Sequence, residues 1–236
     1  MKTILSAILL MCISAVGVSA QDEMTRAEQI EAVIDASTPE DFQYMESPDQ
    51  SYAATVTLYP CVDVEGQMMS YERLDVIDLE SEETHMVAEQ LLNCGGLGAV
   101  GLMAMRWSPN NEFLYYTDAR EGLPDGLTIL WVPPVWRVRL DNWQVDFLGQ
   151  AQFSSDGQKL MSWTGDHVTV LSTDSMNGES YPLLPADLHI TSIMWLPDLS
   201  GILYVQTDQQ MVGTRSTVTH IDLETTEQSI LLDTGD

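Results

Sequence analysis

Apolar and polar positions alternate in short runs along most of this chain, and the runs are separated by polar turn signals. The clearest stretch is Met105-Arg106-Trp107-Ser108-Pro109-Asn110-Asn111-Glu112-Phe113-Leu114-Tyr115-Tyr116, which reads as strand, tight turn, strand. Its turn recurs as Ser47-Pro48-Asp49-Gln50, Ser154-Ser155-Asp156-Gly157 and Leu196-Pro197-Asp198-Leu199. Counted from the third turn residue, the copies lie 61, 46 and 42 residues apart. Apolar, aromatic-rich runs follow each turn at 52–59, 113–116, 160–163 and 202–205. Three turns are preceded by an aromatic, Trp107, Phe153 and Trp195, where the first has Glu46.

The turn chemistry is physical. Proline at the second position presets φ for a type I turn, and Asp or Asn at the third tolerates the bridge or left-handed region. Flanking β-branched and aromatic residues favour pleated, half-buried strands. A second pattern, Val76-Ile77-Asp78-Leu79-Glu80, returns as His220-Ile221-Asp222-Leu223-Glu224 and more loosely as Val170-Leu171-Ser172-Thr173-Asp174. A repeat of roughly 40–45 residues with four short strands is the sequence form of a propeller blade.

On these turns the chain resembles the TolB-like and WD-repeat-like β-propeller family, whose blades carry a Trp-Ser-Pro-Asp-Gly type of turn before a short apolar strand. The resemblance covers 42–236. Glu46, Ser155 and Leu196 depart from the motif. It implies an all-β fold of about four blades, near 42–92, 102–140, 143–184 and 190–232, as a partial or open ring. The first blade's strands are expected near 42–46, 52–59, 71–79 and 85–92, with a loop at 60–70. Four blades leave three possibilities: a closed ring, an open arc completed by another chain, or a truncated reading frame. The last two fit the family better, since its members more often have six or more.

Before the blades, 22–35 has helical periodicity, with Met24, Ala27, Ile30 and Ile34 on one face and Val33 beside them. Asp22 and Glu23 suit its N-terminus, and Ser37-Thr38-Pro39 stops it. This places a helical segment at 21–41. Ahead of it lie a basic start, Met1-Lys2, an apolar run at 4–18 and the small-residue site Val18-Ser19-Ala20. That is the pattern of a signal peptide spanning 1–20, too short for a membrane span. Met11 before Cys12 does not fit a lipoprotein site. Cleavage predicts a secreted or periplasmic protein.

The remaining chain carries eight Lys and Arg against 36 Asp and Glu, a net charge of 8 − 36 = −28. Such a surface repels nucleic acid and anionic membranes, which excludes nucleic-acid partners and stable membrane insertion. It also keeps the protein soluble. Two cysteines remain, Cys61 and Cys94. An even pair in an exported protein predicts a disulfide, the alternative being two buried thiols. In the blade pattern both follow strands running the same way. Those strands stand about 9.6 Å apart, so the chain after each must bend inwards to close a bond.

Candidate chemistry is sparse. His85, His167, His189 and His220 have no metal-ligand spacing, and neither a His-Glu-x-x-His nor a Gly-x-Ser-x-Gly motif is present. Asp75/Asp78 and Glu82/Glu83 read as solvated strand faces. Asp174-Ser175-Met176-Asn177-Gly178-Glu179 fails the EF-hand spacing. The stretch Asn93-Cys94-Gly95-Gly96-Leu97-Gly98 lacks a phosphate loop's lysine and helix. Trp107 and Trp195 share a repeat position, which marks them as core. No catalytic residue, metal ligand or cofactor is assigned. The expected function is an exported, non-catalytic scaffold that binds a protein or small ligand. Its expected docking face carries the loops at 60–70, 118–126 and 208–214 and the glycine-rich connector. The alternatives are the propeller portion of a secreted hydrolase or peptidase, and an ion-stabilised structural domain.

Overall fold

The computed structural model describes residues 24–94, 101–118, 134–164, 166–175, 177–186, 188–208 and 215–235. The leader at 1–20, the glycines of the connector and most of the expected loops at 118–126 and 208–214 lie outside them. The described chain is all-β apart from one helix, α1 (Arg26–Ala36), and every strand pairing is antiparallel. Sheet A holds β1 (Glu40–Glu46), β2 (Tyr52–Val64), β3 (Gln67–Asp78) and β4 (Thr84–Asn93) in sequence order. Sheet B runs through β5 (Met103–Trp107), β6 (Phe113–Thr117), β7 (Pro134–Arg139), β8 (Val145–Phe153), β9 (Lys159–Thr164), β10 (His167–Ser172) and β11 (Gly178–Pro182). Sheet C holds β12 (His189–Trp195), β13 (Gly201–Thr207), β14 (Ser216–Asp222) and β15 (Gln228–Asp233).

The four turns close alike. In each, the amide of the fourth residue donates to the carbonyl of the first, at 2.9–3.0 Å in Gln50, Asn111, Gly157 and Leu199. The fourth residue takes the left-handed region, with φ 61°, 60°, 73° and 61° at those positions. After the closed turn the chain needs one left-handed residue to re-enter the following strand. Glycine is the residue that meets this demand without steric cost, and only the third copy supplies it.

The long sheet B arises at β8. Its first half pairs with β7 and its second half with β9, and Gln150 pairs with both Pro134 and Trp163. A register shift around Leu148 and Gly149 (φ 78°) marks a bulge there. The strand after the 140–144 turn therefore completes β5–β7 before it opens β9–β11. Phe113, Tyr115 and Val135 on one side of β8 are buried together with Ala151 of β8 and Leu160 on the other side.

Successive units pack face to face. Ala54, Val56, Leu74 and Val76 of sheet A meet Leu114, Tyr116 and Val138 of sheet B. Met161, Trp163, Val168 and Val170 of sheet B meet Ile193, Ile202, Tyr204 and Ile221 of sheet C. The repeat's tryptophans tie one sheet to the next, β5 to β1 and β12 to β8. Trp107 Nε1 donates to the Met45 carbonyl at 3.1 Å, and Trp195 Nε1 donates to the Gln152 carbonyl at 3.2 Å. Among the described residues no buried cluster joins sheet C back to sheet A.

Two local expectations are corrected. Residues 60–70 are not a loop, because β2 and β3 continue pairing to Val64 and Gln67. Glu65 (φ 52°) and Gly66 (φ 86°) make a two-residue hairpin turn in which Gly66 N donates to Asp63 Oδ1 at 2.7 Å. The helix starts later than periodicity predicts. Thr25 caps it in a reciprocal pair with Glu28, which the acidic pair at 22–23 does not foreshadow. Its buried residue is Val33, with Met24, Ile30 and Ala32 packed around it, whereas Ala27 and Ile34 face solvent. The partner surface of Val64, Met69 and Tyr71 on the extended hairpin chooses that strip.

The expected disulfide is present: Cys61 and Cys94 are bonded, with Cα atoms 6.2 Å apart. The register shift between Tyr59 and Val62 places a bulge at Pro60-Cys61, which draws Cys61 across β3 towards the end of β4. On the chain-entropy account, closing this loop contributes roughly 3–4 kcal/mol.

Candidate binding face

The repeated turns gather at one edge of the sheets, together with the third-to-fourth-strand turns of each unit. Serine stiffens three of the four. Ser47, Ser108 and Ser154 each accept, through Oγ, the amide five residues on at 2.9–3.0 Å. Each also donates to the third residue's side chain, to Asp49 at 2.8 Å, Asn110 at 2.7 Å and Asp156 at 2.6 Å. Leu196 has no hydroxyl, and in that copy Asp198 instead accepts from Ser200 N and Oγ. These bonds hold the turn carboxylates below the ordinary aspartate range. The Ser51 hydroxyl is the main cause at Asp49, Ser154 at Asp156 and Ser200 at Asp198. The aspartates thus act first as turn caps.

Three clefts open on this edge. One of about 330 Å³ lies between Tyr52 and Arg139-Leu140-Asp141. One of about 560 Å³ is lined by Lys159, Ser172, Asn177, Glu179 and Leu223, where sheets B and C meet. The third, about 410 Å³, is where three successive turns converge, with Glu46, Pro48, Arg106, Trp107, Pro109 and Asp156 around it. These concavities lie on the opposite edge from the docking face expected from strand order. Of that expected face, the 60–70 part is the paired hairpin carrying the disulfide, packed under α1.

Arg106 distinguishes the third cleft. Arg26, Arg73, Arg137, Arg139 and Arg215 each have a carboxylate within 4.0 Å. Among the described residues Arg106 has none, despite 36 acidic residues in the chain. Its guanidinium carbon lies 5.6 Å from the centre of the Phe153 ring. A side chain on Gly157 would collide with the same guanidinium, so the left-handed glycine both completes its turn and makes room for the arginine. The result is a cation in a cleft that Trp107, Pro48 and Pro109 also line. Its sequence signal was a basic residue directly before the repeat aromatic in a chain with nine cations. Strand patterning alone did not single it out.

The other candidate residues are placed apart. His85 stacks on Trp143 with ring centres 3.8 Å apart, and His167 pairs with exposed Asp166 at 2.7 Å. Asp75 is not a solvated strand residue: it is buried and accepts from Arg73 Nε at 2.6 Å. Asp78 caps its turn by accepting from Glu80 and Ser81 amides. In the 174–179 hairpin, Asp174 accepts from Asn110 N and Glu179 from the Tyr181 hydroxyl. Among the described residues no group of three or more His, Cys, Asp or Glu is arranged to hold a metal ion.

No family model and no curated protein matches the sequence. Solved structures resemble it distantly. An oligogalacturonate lyase in complex with manganese is 15% identical over 83% of this chain and 54% of its own, with a TM-score of 0.35. Porphyromonas gingivalis dipeptidyl peptidase 4 is 8% identical over 82% and 33%, with a TM-score of 0.41. The β-propeller domain of the Trilobed protease from Pyrococcus furiosus is 10% identical over 83% and 57%, with a TM-score of 0.34. The chain spans between about a third and three fifths of these structures.

Proposed function

We propose that this protein is an exported β-propeller segment of four blades, of the TolB-like kind, that binds a partner through the turn-edge cleft around Arg106. The blades are β1–β4, β5–β8, β8–β11 and β12–β15, with β8 shared. The observation that carries the reading is the Arg106 guanidinium, which among the described residues has no carboxylate within 4.0 Å and lies beside Phe153 and Gly157 in a cleft lined by Trp107. An anionic group on a protein or small ligand is what this cation recruits, with the aromatic and proline surfaces contacting its apolar part. Export to a secreted or periplasmic location is supported by the leader pattern at 1–20 and by the disulfide. Among the described residues no helix is long and apolar enough to cross a membrane.

The test compares the native protein with Arg106→Gln as bait in the exported-protein fraction. A partner retained by the native protein and released by the variant supports the site. Equal retention removes Arg106 from it.

A second reading, the propeller portion of a secreted enzyme, is favoured by what the clefts offer. They hold positioning cations, Arg106 and Lys159, beside capped turn carboxylates, which suits steering a substrate to a reacting group elsewhere. In that case Arg106→Gln raises KM and leaves kcat unchanged in the enzyme to which the segment belongs.

A further inference from the structure

The cleft around Arg106 holds charges of both signs that do not neutralise one another. Glu46 and Asp156 line it together with Arg106, yet neither carboxylate lies within 4.0 Å of the guanidinium. Each of the three has a partner of its own. The Arg106 guanidinium lies over Phe153, 5.6 Å from the ring centre. Asp156 Oδ1 accepts from the Ser154 hydroxyl at 2.6 Å and from Gln158 N at 3.0 Å, and these bonds favour its ionised form. Glu46 Oε1 accepts from the Tyr44 hydroxyl at 3.1 Å. Glu46 also stands where the other three copies of the repeat carry an aromatic. The one copy that breaks the pattern thus adds a second carboxylate to the cleft that holds Arg106.

We propose that this cleft takes a compact zwitterion, an α-amino acid with an apolar side chain, whose carboxylate meets Arg106 and whose ammonium meets Glu46 and Asp156. The inference rests on the cleft reading above and narrows its ligand. Opposite charges held apart in one cleft are bridged by a ligand that carries the complementary pair, and side chains already fixed by their own partners lose little freedom on binding. The guanidinium and a carboxylate form charge-assisted hydrogen bonds, as do the ammonium and the two acidic side chains. Size and charge select against other classes. A volume of about 410 Å³ is at the small end of ligand cavities. A polyanion is repelled by the two flanking carboxylates and by a chain of net charge −27, and a simple cation meets Arg106. A molecule with one charge of each sign avoids both penalties. Met45, Pro48 and Pro109 give its side chain an apolar wall.

Ligand-observed NMR titrations of the full protein at low salt, with leucine, N-acetylleucine and leucinamide as probes, are the test. N-acetylleucine lacks the ammonium and leucinamide lacks the carboxylate. Leucine should bind about tenfold more tightly than either analogue. Glu46→Gln should remove most of the preference over N-acetylleucine, and Arg106→Gln the preference over leucinamide. Glu46 is exposed and lies outside the Ser47 turn's own hydrogen bonds, so its substitution leaves that turn intact, which circular dichroism checks. Either analogue bound as tightly as leucine overturns the zwitterion. If that analogue is N-acetylleucine and its binding is lost in Arg106→Gln, the anion-binding cleft survives. Leucine bound equally by the native protein and Arg106→Gln overturns both readings. Leucine that does not bind overturns the zwitterion alone, and the partner-retention comparison then judges the cleft.

Discussion

The two outer sheets differ in how their exposed sides are built. The exposed side of sheet A combines polar networks with exposed Tyr44 and Met86, which share one cross-strand row with Thr55 and Asp75. Buried Asp75 is paired with Arg73, the Tyr71 hydroxyl donates to Glu89 at 2.8 Å, and Glu89 also faces Arg26 of α1. Burial first, and then the Glu89 bond, pushes the Tyr71 phenol well above its ordinary value. The helix and the disulfide close the far end of that sheet. The exposed side of sheet C has rows of Met194, Leu203, Val205 and Val218, with no comparable network among the described residues. Both sides expose apolar side chains, and the difference between them is that, among the described residues, only sheet A adds an ion pair at a buried aspartate and a tyrosine–carboxylate bond.

Removing the staple should break this contrast most strongly. Replacing Cys61 and Cys94 together with alanine should cost roughly 3–4 kcal/mol in denaturant unfolding. Hydrogen exchange should rise first in the 59–71 hairpin and α1, and stay unchanged in sheet C. Uniform acceleration through all sheets would show that the disulfide does not act locally.

A matched pair sharpens the comparison. Val56 and Val205 hold the same repeat position, the first buried under sheet B and the second on the uncovered face. Val56→Ala should destabilise by about 2 kcal/mol, and Val205→Ala in dilute protein by about 0.5 kcal/mol. Equal losses in chemical denaturation would mean that sheet C is covered within a single chain.

The smallest effect has the opposite sign. Leu199 takes φ 61° in the turn of sheet C, where Gly157 fills the same position in sheet B. Leu199→Gly should raise stability by about 0.5 kcal/mol, since relief of left-handed strain slightly exceeds the entropy that glycine adds to the unfolded chain. A lower melting temperature would show that the leucine side chain contributes packing that outweighs its backbone cost.

Much of the fold was legible along the chain, and less of the candidate site. The four turns and their strands follow from neighbours close in sequence, because turn chemistry and period-two alternation act over a few residues, while the Cys61–Cys94 pair was expected because only two cysteines follow the leader. The hairpin at 60–70 was missed because Glu65-Gly66 is a weaker turn signal than the repeated serine-proline turn, although it obeys the same rule. The buried strip of α1 was misassigned because Ala27, Ile34 and Val33 are equally apolar, and only the hairpin surface selects among them. Arg106 was passed over because an arginine in a strand is ordinarily a solvated one. Its lack of a carboxylate is a property of residues distant in sequence.

By itself, then, this sequence determined the hairpin repeat and the antiparallel strand order within each repeat, and it limited a disulfide to Cys61 and Cys94, since each depends on short-range backbone preference or on a small set of possible partners. Only the tertiary structure decided which concavity holds a cation with no carboxylate partner among the described residues, and which strip of α1 is buried. Burial and ion pairing are settled by which surfaces meet in space, and local pattern does not encode those meetings.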